Sequence, residues 1–387
     1  MNCNALLLHI HIIHTIIFCA PVYIFLNFIR LPAIMKPHNV TIKDIAKELG
    51  VSPSTVSRAL KDHPDISQET KKMVKELVEK LRYKPNSVAL SLRNRKTNII
   101  GVIVPQMVHH FFSSVISGIE EAAVSAGYNV MIFQSNEDYD REVLNVQSLM
   151  SSRVDGALVS ISKTSKKFGH FRELLENDTP LVLFDRVCDD LETDKVIVDD
   201  FNGAFTATEY LIKTGCKRIA HLAAPQHLLI GYQRQRGYIT ALEKNGLEVD
   251  YDLIIKCDTH DEALDITPGL MKLDHPPDAI FAVNDMTATG VLKALKKLDI
   301  KVPDDISVIG FTDGLVATVT DPPLTTVSQH GFDLGKKAAE ILLDRINSGF
   351  EIKTPVTEVI PTTLVVREST RKIAFEEKKA SIAGLKS

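Results

Sequence analysis

From Ile99 onward the chain alternates apolar runs of strand length with stretches of helical periodicity, and that alternation leaves few folds open. The runs are Ile99 to Val104, Tyr128 to Phe133, Gly156 to Ser160, Pro180 to Phe184, Arg218 to Ala223, Ala279 to Val283 and Ser307 to Phe311. Gly127 and Gly215 fall just past helical stretches, where a residue of positive φ ends a helix. Strands separated by helices predict parallel, doubly wound sheets, because a parallel pair needs a crossover long enough to hold a helix. Seven or more such units exceed one comfortable sheet, so two similar α/β subdomains are expected. A length of 387 residues allows two or three folded units at roughly 100–200 residues each.

Composition decides what else is excluded. With 24% charged and 44% hydrophobic residues the chain is an ordinary globular protein rather than a disordered or fibrous one. The net charge of −4 conceals an uneven distribution. Lys36 to Lys96 carries 14 Lys and Arg against 7 Asp and Glu, whereas from Thr97 onward 30 basic residues face 42 acidic ones. A small basic module therefore precedes a large acidic body. The five cysteines, Cys3, Cys19, Cys188, Cys216 and Cys257, are scattered, with no Cys-x-x-Cys pair and no Cys/His cluster at metal-ligand spacing. They read as isolated thiols of a reducing cytoplasm, and no metal site is expected.

Residues 1–34 are strongly apolar, with Arg30 the single charge. On hydropathy the stretch is long enough to span a bilayer. As a secretory signal it is poor, since it lacks a basic start and holds His9, His11 and His14 within the apolar run. Met35-Lys36-Pro37 then opens a polar, helix-forming sequence. The expectation is that translation begins at Met35 and that 1–34 is an extension outside the native product; a membrane anchor is the alternative.

The basic module reads as three helices over 35–82. Thr41 and Asp44 form a capping box ahead of Ile45, Ala46 and Leu49. Gly50 suits a helix end of positive φ, and Ser52 followed by Pro53 restarts a helix. Small Ala46 lets the two helices close on each other, which is helix-turn-helix spacing. Ser67 caps a third helix carrying Val74, Leu77, Val78 and Leu81. The outer face of the second helix offers Ser54, Thr55, Ser57 and Arg58, groups that contact phosphates and base edges in a major groove. With the excess of positive charge, DNA binding outweighs a merely solvated face. Residues 83–97 hold a helix-prone piece of about two turns, too short to be stable alone and so a candidate switch between module and body.

Val40-Thr-Ile-Lys-Asp-Ile-Ala-Lys-Glu-Leu-Gly-Val-Ser-Pro-Ser-Thr-Val-Ser-Arg-Ala-Leu60, followed by Tyr83-x-Pro85-Asn86 and Val88-Ala89-x-x-Leu92, closely resembles the amino-terminal region of the lactose-repressor/galactose-repressor (LacI/GalR) family. The resemblance runs on through Ile100 to Pro105, Asp155-Gly156, Asp185-Arg186, Asn284-Asp285, Pro322 to Thr326 and Leu364 to Thr370. It implies that Thr41, Ser52, Thr55 and Ser57 hold phosphates while Ser54 and Arg58 read bases. It also implies a hinge helix in which Asn86, Ala89 and Leu92 meet the minor groove, Leu92 as a wedge that unstacks one base step. Pro53 departs from the pattern, standing where many members carry a polar base-contacting side chain; it offers only apolar contact.

For residues 98–371 the resemblance implies a periplasmic-binding-protein-like body of two doubly wound subdomains, with crossovers near 199, 326 and 361 and an effector in the cleft between them. The positions of Phe111, Phe112, Asp185, Arg234, Asn284, Thr312 and Gln329 line that cleft in the family, and their polar groups suit a neutral polyol. Arg234 is preferred to Arg236 because its spacing to Gly237 matches Arg-x-x-Gly. Several members carry an aspartate where Thr312 stands, so the effector cannot be carried over from them, and Asp313 is a candidate substitute. Plainer roles stay open: Asp185 and Arg186 pairing with each other, Asn284-Asp285 as a helix cap, the two phenylalanines as core.

No phosphate-binding Gly-x-x-x-x-Gly-Lys-Ser/Thr loop, dinucleotide Gly-x-Gly-x-x-Gly, Gly-x-Ser-x-Gly or His-Glu-x-x-His is present, so no enzyme and no cofactor is expected. The polar tail 372–387 lacks leucine heptads, which points to a two-fold dimer on a pseudo-palindromic operator rather than a tetramer. The reading is a cytoplasmic transcriptional regulator, a repressor of carbohydrate-utilisation genes whose effector is a sugar or sugar phosphate. An exported or membrane-tethered sugar receptor is the alternative.

Overall fold

The computed structural model of the chain describes residues 40–83, 96–348 and 354–373. Residues 1–34, the hinge positions Asn86, Ala89 and Leu92, and all of the tail beyond residue 373 lie outside the described residues. The chain divides into two compact units, residues 1–90 and 91–387.

In the first unit, α1 (Ile42–Leu49), α2 (Pro53–Leu60) and α3 (Gln68–Lys80) surround a small core of Ile45, Ala46, Val56, Ala59, Val74 and Leu77. Thr41 caps α1: its Oγ1 accepts the Asp44 amide at 3.4 Å, and the Asp44 carboxylate accepts the Thr41 amide at 2.8 Å. Gly50, at φ 66, turns the chain so that the Val51 amide reaches the Ala46 carbonyl at 3.0 Å. Ser52 then caps α2 through the Thr55 amide at 3.0 Å. Lys71 is nearly buried and its Nζ holds the Asp62 carboxylate at 2.9 Å and the Asp62 carbonyl at 3.2 Å. That pairing pins the turn between α2 and α3.

The second unit contains two parallel sheets. The larger has the order β11-β5-β4-β3-β1-β2, from β1 (Ile99–Val104), β2 (Asn129–Gln134), β3 (Gly156–Val159), β4 (Leu181–Phe184), β5 (Asp194–Val198) and β11 (Thr357–Ile360). The smaller has the order β7-β6-β8-β9, from β6 (Ile219–Ala223), β7 (Ile254–Lys256), β8 (Ala279–Ala282) and β9 (Ser307–Ile309). A short antiparallel pair, β10 (Thr326–Ser328) and β12 (Thr363–Val365), stands beside them. The chain passes from the larger to the smaller sheet after β5, returns after β10, and leaves again after β11.

Both sheets are covered on both faces, which is why their strands read as near-continuous apolar runs. On the larger sheet, Ile100, Val102, Val104, Val182 and Phe184 face α4 (His110–Ser125) and α12 (Gly331–Ser348). Ile103, Ala157, Val159, Leu181 and Leu183 face α5 (Tyr139–Ser152) and α6 (Gly169–Glu176). The smaller sheet is flanked in the same way by α7 (Asp200–Lys213) and α8 (Leu229–Lys244) on one side and by α9 (His260–Leu270) and α10 (Asp285–Lys297) on the other. α11 (Leu315–Val319) is a short turn of helix after β9. Helices α4 and α12 meet backbone to backbone: a Cβ on Gly118 would lie 2.0 Å from the Phe332 carbonyl oxygen, and one on Gly335 would lie 2.0 Å from that of Val115. This close crossing fixes the start of α4, and with it Phe111 and Phe112.

Candidate functional site

The carboxyl ends of the strands of both sheets open on one cavity of about 500 Å³. In open parallel sheets that edge is where loops carry polar groups to a ligand. Phe111, Phe112, Asp185, Arg234, Asn284, Thr312 and Gln329 all line it. Phe111 and Phe112 sit edge-to-face at 5.3 Å, both buried in the core of the larger sheet as well as walling the cavity. Their core and lining roles coexist.

Asp185 follows β4 directly, at φ 59 and 4% exposed. Its amide donates to the Val196 carbonyl at 2.9 Å, and among the described residues its carboxylate takes only a long bond from Ser160 Oγ, 3.4 Å. Burial lifts its pKa to about 6, against the pull of Arg186. Arg186 does not pair with Asp185; its Nη1 bonds both Glu137 oxygens, at 2.7 and 2.8 Å. Arg234, on α8, donates from Nε to Asp200 at 2.7 Å and from Nη1 to the Val283 carbonyl at 2.6 Å, with its guanidinium 3.8 Å above the Phe311 ring. Burial raises the pKa of Asp200 while Arg234 pulls it down.

Asn284 caps α10, its Oδ1 accepting the Thr287 amide at 2.8 Å, and its Nδ2 donates to the Asp258 carbonyl at 3.0 Å. Asp285 is fully used: Oδ1 accepts Thr326 Oγ1 at 2.5 Å and Oδ2 accepts the Gly314 amide at 2.8 Å. Burial still raises its pKa. Thr312 has φ 142, an uncommon value for a β-branched residue, and its amide holds the Val327 carbonyl at 2.7 Å.

Across the cavity mouth, Lys163 of the loop after β3 reaches Asp258 of the loop after β7, Nζ to Oδ2 at 3.4 Å. His227 Nε2 adds a bond to the Lys163 carbonyl at 2.7 Å. Lys163 is itself placed by Glu137, which accepts its amide at 2.8 Å. Burial, and next Arg186, holds His109 below the ordinary histidine pKa, and its Nε2 lies 2.6 Å from Gln106 Oε1.

In the first unit, Ser52, Pro53, Ser54 and Arg58 are exposed on or beside α2, with Thr55 and Ser57 half-buried and Thr41 exposed at the start of α1. Ser52 Oγ lies 2.6 Å from Ser54 Oγ and 2.9 Å from Thr55 Oγ1, so these hydroxyls form one polar patch around the start of α2.

Residues 97–368 match the family described as "Periplasmic binding proteins and sugar binding domain of LacI family", and residues 41–86 match "Bacterial regulatory proteins, lacI family". The chain belongs to the LacI family. It is 31% identical to catabolite control protein A of Priestia megaterium over 86% of this chain and 100% of that one. It is 32% identical to the transcriptional repressor CytR of Escherichia coli, over 86% and 97% of the two chains. Among solved structures, the lac repressor dimer bound to operator and the anti-inducer ONPF superposes with a TM-score of 0.76 at 25% identity, covering 87% of this chain and 100% of that one. The protein is thus a DNA-binding transcriptional regulator, with an α/β body behind a helix-turn-helix, and the exported-receptor alternative falls away.

One site expectation for this LacI-family member is corrected. Asp313 does not line the cavity: at φ 62 its carboxylate turns to Arg367 Nη2 at 2.6 Å, a charge-assisted bond to a residue near the end of the body. It does not replace the carboxylate that Thr312 lacks. Glu137, Lys163 and Asp258 line the cavity and escaped the sequence reading. Their signal was position alone, each standing two to four residues past a strand end. Among the described residues no helix is long and apolar enough to cross a membrane.

Proposed function

We propose that this LacI-family regulator works in the cytoplasm as a two-fold dimer on a pseudo-palindromic operator, without catalytic activity, and that a sugar-class effector filling the cavity between the two sheets sets its operator affinity. The observation that carries this reading is the convergence of Phe111, Phe112, Asp185, Arg234, Asn284, Thr312 and Gln329 on one cavity large enough for a mono- or disaccharide. Asp185 and Asn284 hold hydroxyls, Arg234 orients them, and the two phenylalanines cover an apolar sugar face. Solved relatives add support: one is a complex of CelR with cellobiose, another a LacI-family regulator of Enterococcus faecium with bound ribose.

On the DNA side, Thr41, Ser52, Thr55 and Ser57 contact phosphates, Ser54 and Arg58 read base edges with Pro53 against them, and Asn86, Ala89 and Leu92 act at the operator centre. Changing the angle between the two sheets changes the separation of the paired hinges, so effector and operator affinities are coupled and the coupling is reciprocal. The regulated genes are those of carbohydrate use. The test is selection of the protein on randomised duplex DNA, followed by operator binding across a panel of sugars. Recovery of a short palindrome whose occupancy a sugar changes is expected; salt-sensitive, sequence-independent binding alone would overturn the reading.

A further inference from the structure

The cavity is lined by three permanently charged cations, and each already holds a carboxylate. Arg186 grips both oxygens of Glu137, Arg234 grips Asp200, and Lys163 reaches Asp258 across the mouth. Asp185 has the opposite status: it is buried, no cation bonds it, and its single side-chain hydrogen bond among the described residues is the long one from Ser160. Asp285 also lines the wall, with both oxygens satisfied. A ligand entering here meets an acceptor with open lone pairs, and every arginine and lysine around it is already paired with a carboxylate, although Arg186 keeps a buried Nε with no hydrogen-bond partner among the described residues.

From this pairing, and resting on the reading of the cavity as the effector site, we infer that the regulator responds to an uncharged saccharide and rejects its phosphate ester. Hydroxyls can donate to the open oxygens of Asp185, with the aliphatic ring faces against Phe111 and Phe112. A phosphate dianion would find one open donor, Arg186 Nε, on a guanidinium whose charge Glu137 already balances. A full counter-ion would need Arg186, Arg234 or Lys163 released from its partner, which strands a buried carboxylate, and without one the dianion sits uncompensated beside Asp185, which is costly in a buried site. One feature favours an anion. Helices α4 and α8 begin at the cavity without a side-chain cap, leaving first-turn amides as donors. Those amides serve hydroxyl oxygens equally well, and they do not offset the charge of Asp185.

The test is calorimetric titration of the intact protein with a panel of mono- and disaccharides, each paired with its own phosphate ester, repeated on Asp185→Asn, with thermal shift in inorganic phosphate as a ligand-independent probe of anion affinity. The expected result is a sugar that binds at least about tenfold tighter than its ester. Asp185→Asn should weaken that sugar by a similar factor, and inorganic phosphate should give no shift beyond that of chloride at equal ionic strength. An ester that binds tighter than its sugar, and tighter still to Asp185→Asn, overturns this inference while leaving the effector cleft in place. Binding of no sugar and no ester anywhere in the panel overturns the proposed function itself.

Discussion

Lys163 and Asp258 meet at 3.4 Å from opposite sides of the cavity mouth, one on a loop of the larger sheet and the other on a loop of the smaller. Neither is a direct continuation of the core, and their contact, with the His227 bond to the Lys163 carbonyl, ties the two sheets together on the open side of the cleft.

Breaking that tie should loosen closure without unfolding the protein. The lysine is 33% exposed and the carboxylate 19%, so the pair contributes about 0.2–1 kcal/mol. Asp258→Asn should therefore weaken effector binding by about fivefold at most, with melting temperature nearly unchanged. Calorimetry of a double-mutant cycle with Lys163→Met checks it; independent, additive losses would show that the pair does not couple the lobes.

Arg234 carries a much larger load. Replacing it by alanine leaves Asp200 charged and buried, a loss of about 3–5 kcal/mol. Thermal unfolding of Arg234→Ala should show a large drop, and a second change, Asp200→Asn, should recover part of it. Failure of that second change to recover any stability would mean the cost lies in lost packing against Phe311.

The pH dependence follows from two buried groups that act in opposite directions. Burial lifts Asp185 to about 6 from an ordinary 3.8, among Arg186, Asp200, Arg234 and Ser160. Between those values the folded chain holds a proton that the unfolded chain releases, so this group makes stability fall as pH rises through the interval. Burial pulls His221, stacked on Tyr238 and Phe281, down to about 4 from 6.5. There the unfolded chain binds the proton, so stability falls as pH drops from about 6.5 to about 4. Asp185→Asn should be more stable than the parent at pH 8, with the difference shrinking toward pH 4, and its sugar affinity should lose the dependence on pH near 6. Parallel stability curves for the two proteins would contradict this.

Much of the fold was legible because the buried parallel strands are continuous apolar runs, as in Ile99–Val104 and Ala279–Ala282. Five strands were missed. Three of them, β7, β10 and β12, have three residues each, too few for periodicity to register. The edge strand β11 is largely exposed and carries no apolar signature, and β5 begins with Asp194 and Lys195. In the site, Asp185 and Asn284 were legible at strand ends, whereas Asp200 as the partner of Arg234, 34 residues away, depends on how α7 packs on α8. The capture of Asp313 by Arg367, 54 residues on, is equally invisible in local sequence.

On the DNA-binding unit, two changes separate folding from recognition. Ser52→Ala removes the cap of α2 and should cost about 1 kcal/mol of stability. Arg58→Ala, at an exposed position, should leave melting unchanged and cost about 1–3 kcal/mol of operator affinity, with relaxed base preference at one position. Anisotropy with matched and mismatched duplexes distinguishes this from a phosphate contact, which would weaken all sequences alike.

The most direct test of the account joins its two halves. Operator occupancy would be measured by anisotropy on the selected palindrome, with and without a saturating neutral sugar found by calorimetry, and sugar affinity would be measured with and without the operator. The expected outcome is reciprocal coupling, in which the sugar shifts operator affinity and the operator shifts sugar affinity by the same factor, while Asp185→Asn retains operator binding and needs about tenfold more sugar for the same response. A sugar that fills the cleft and leaves operator affinity untouched would contradict it.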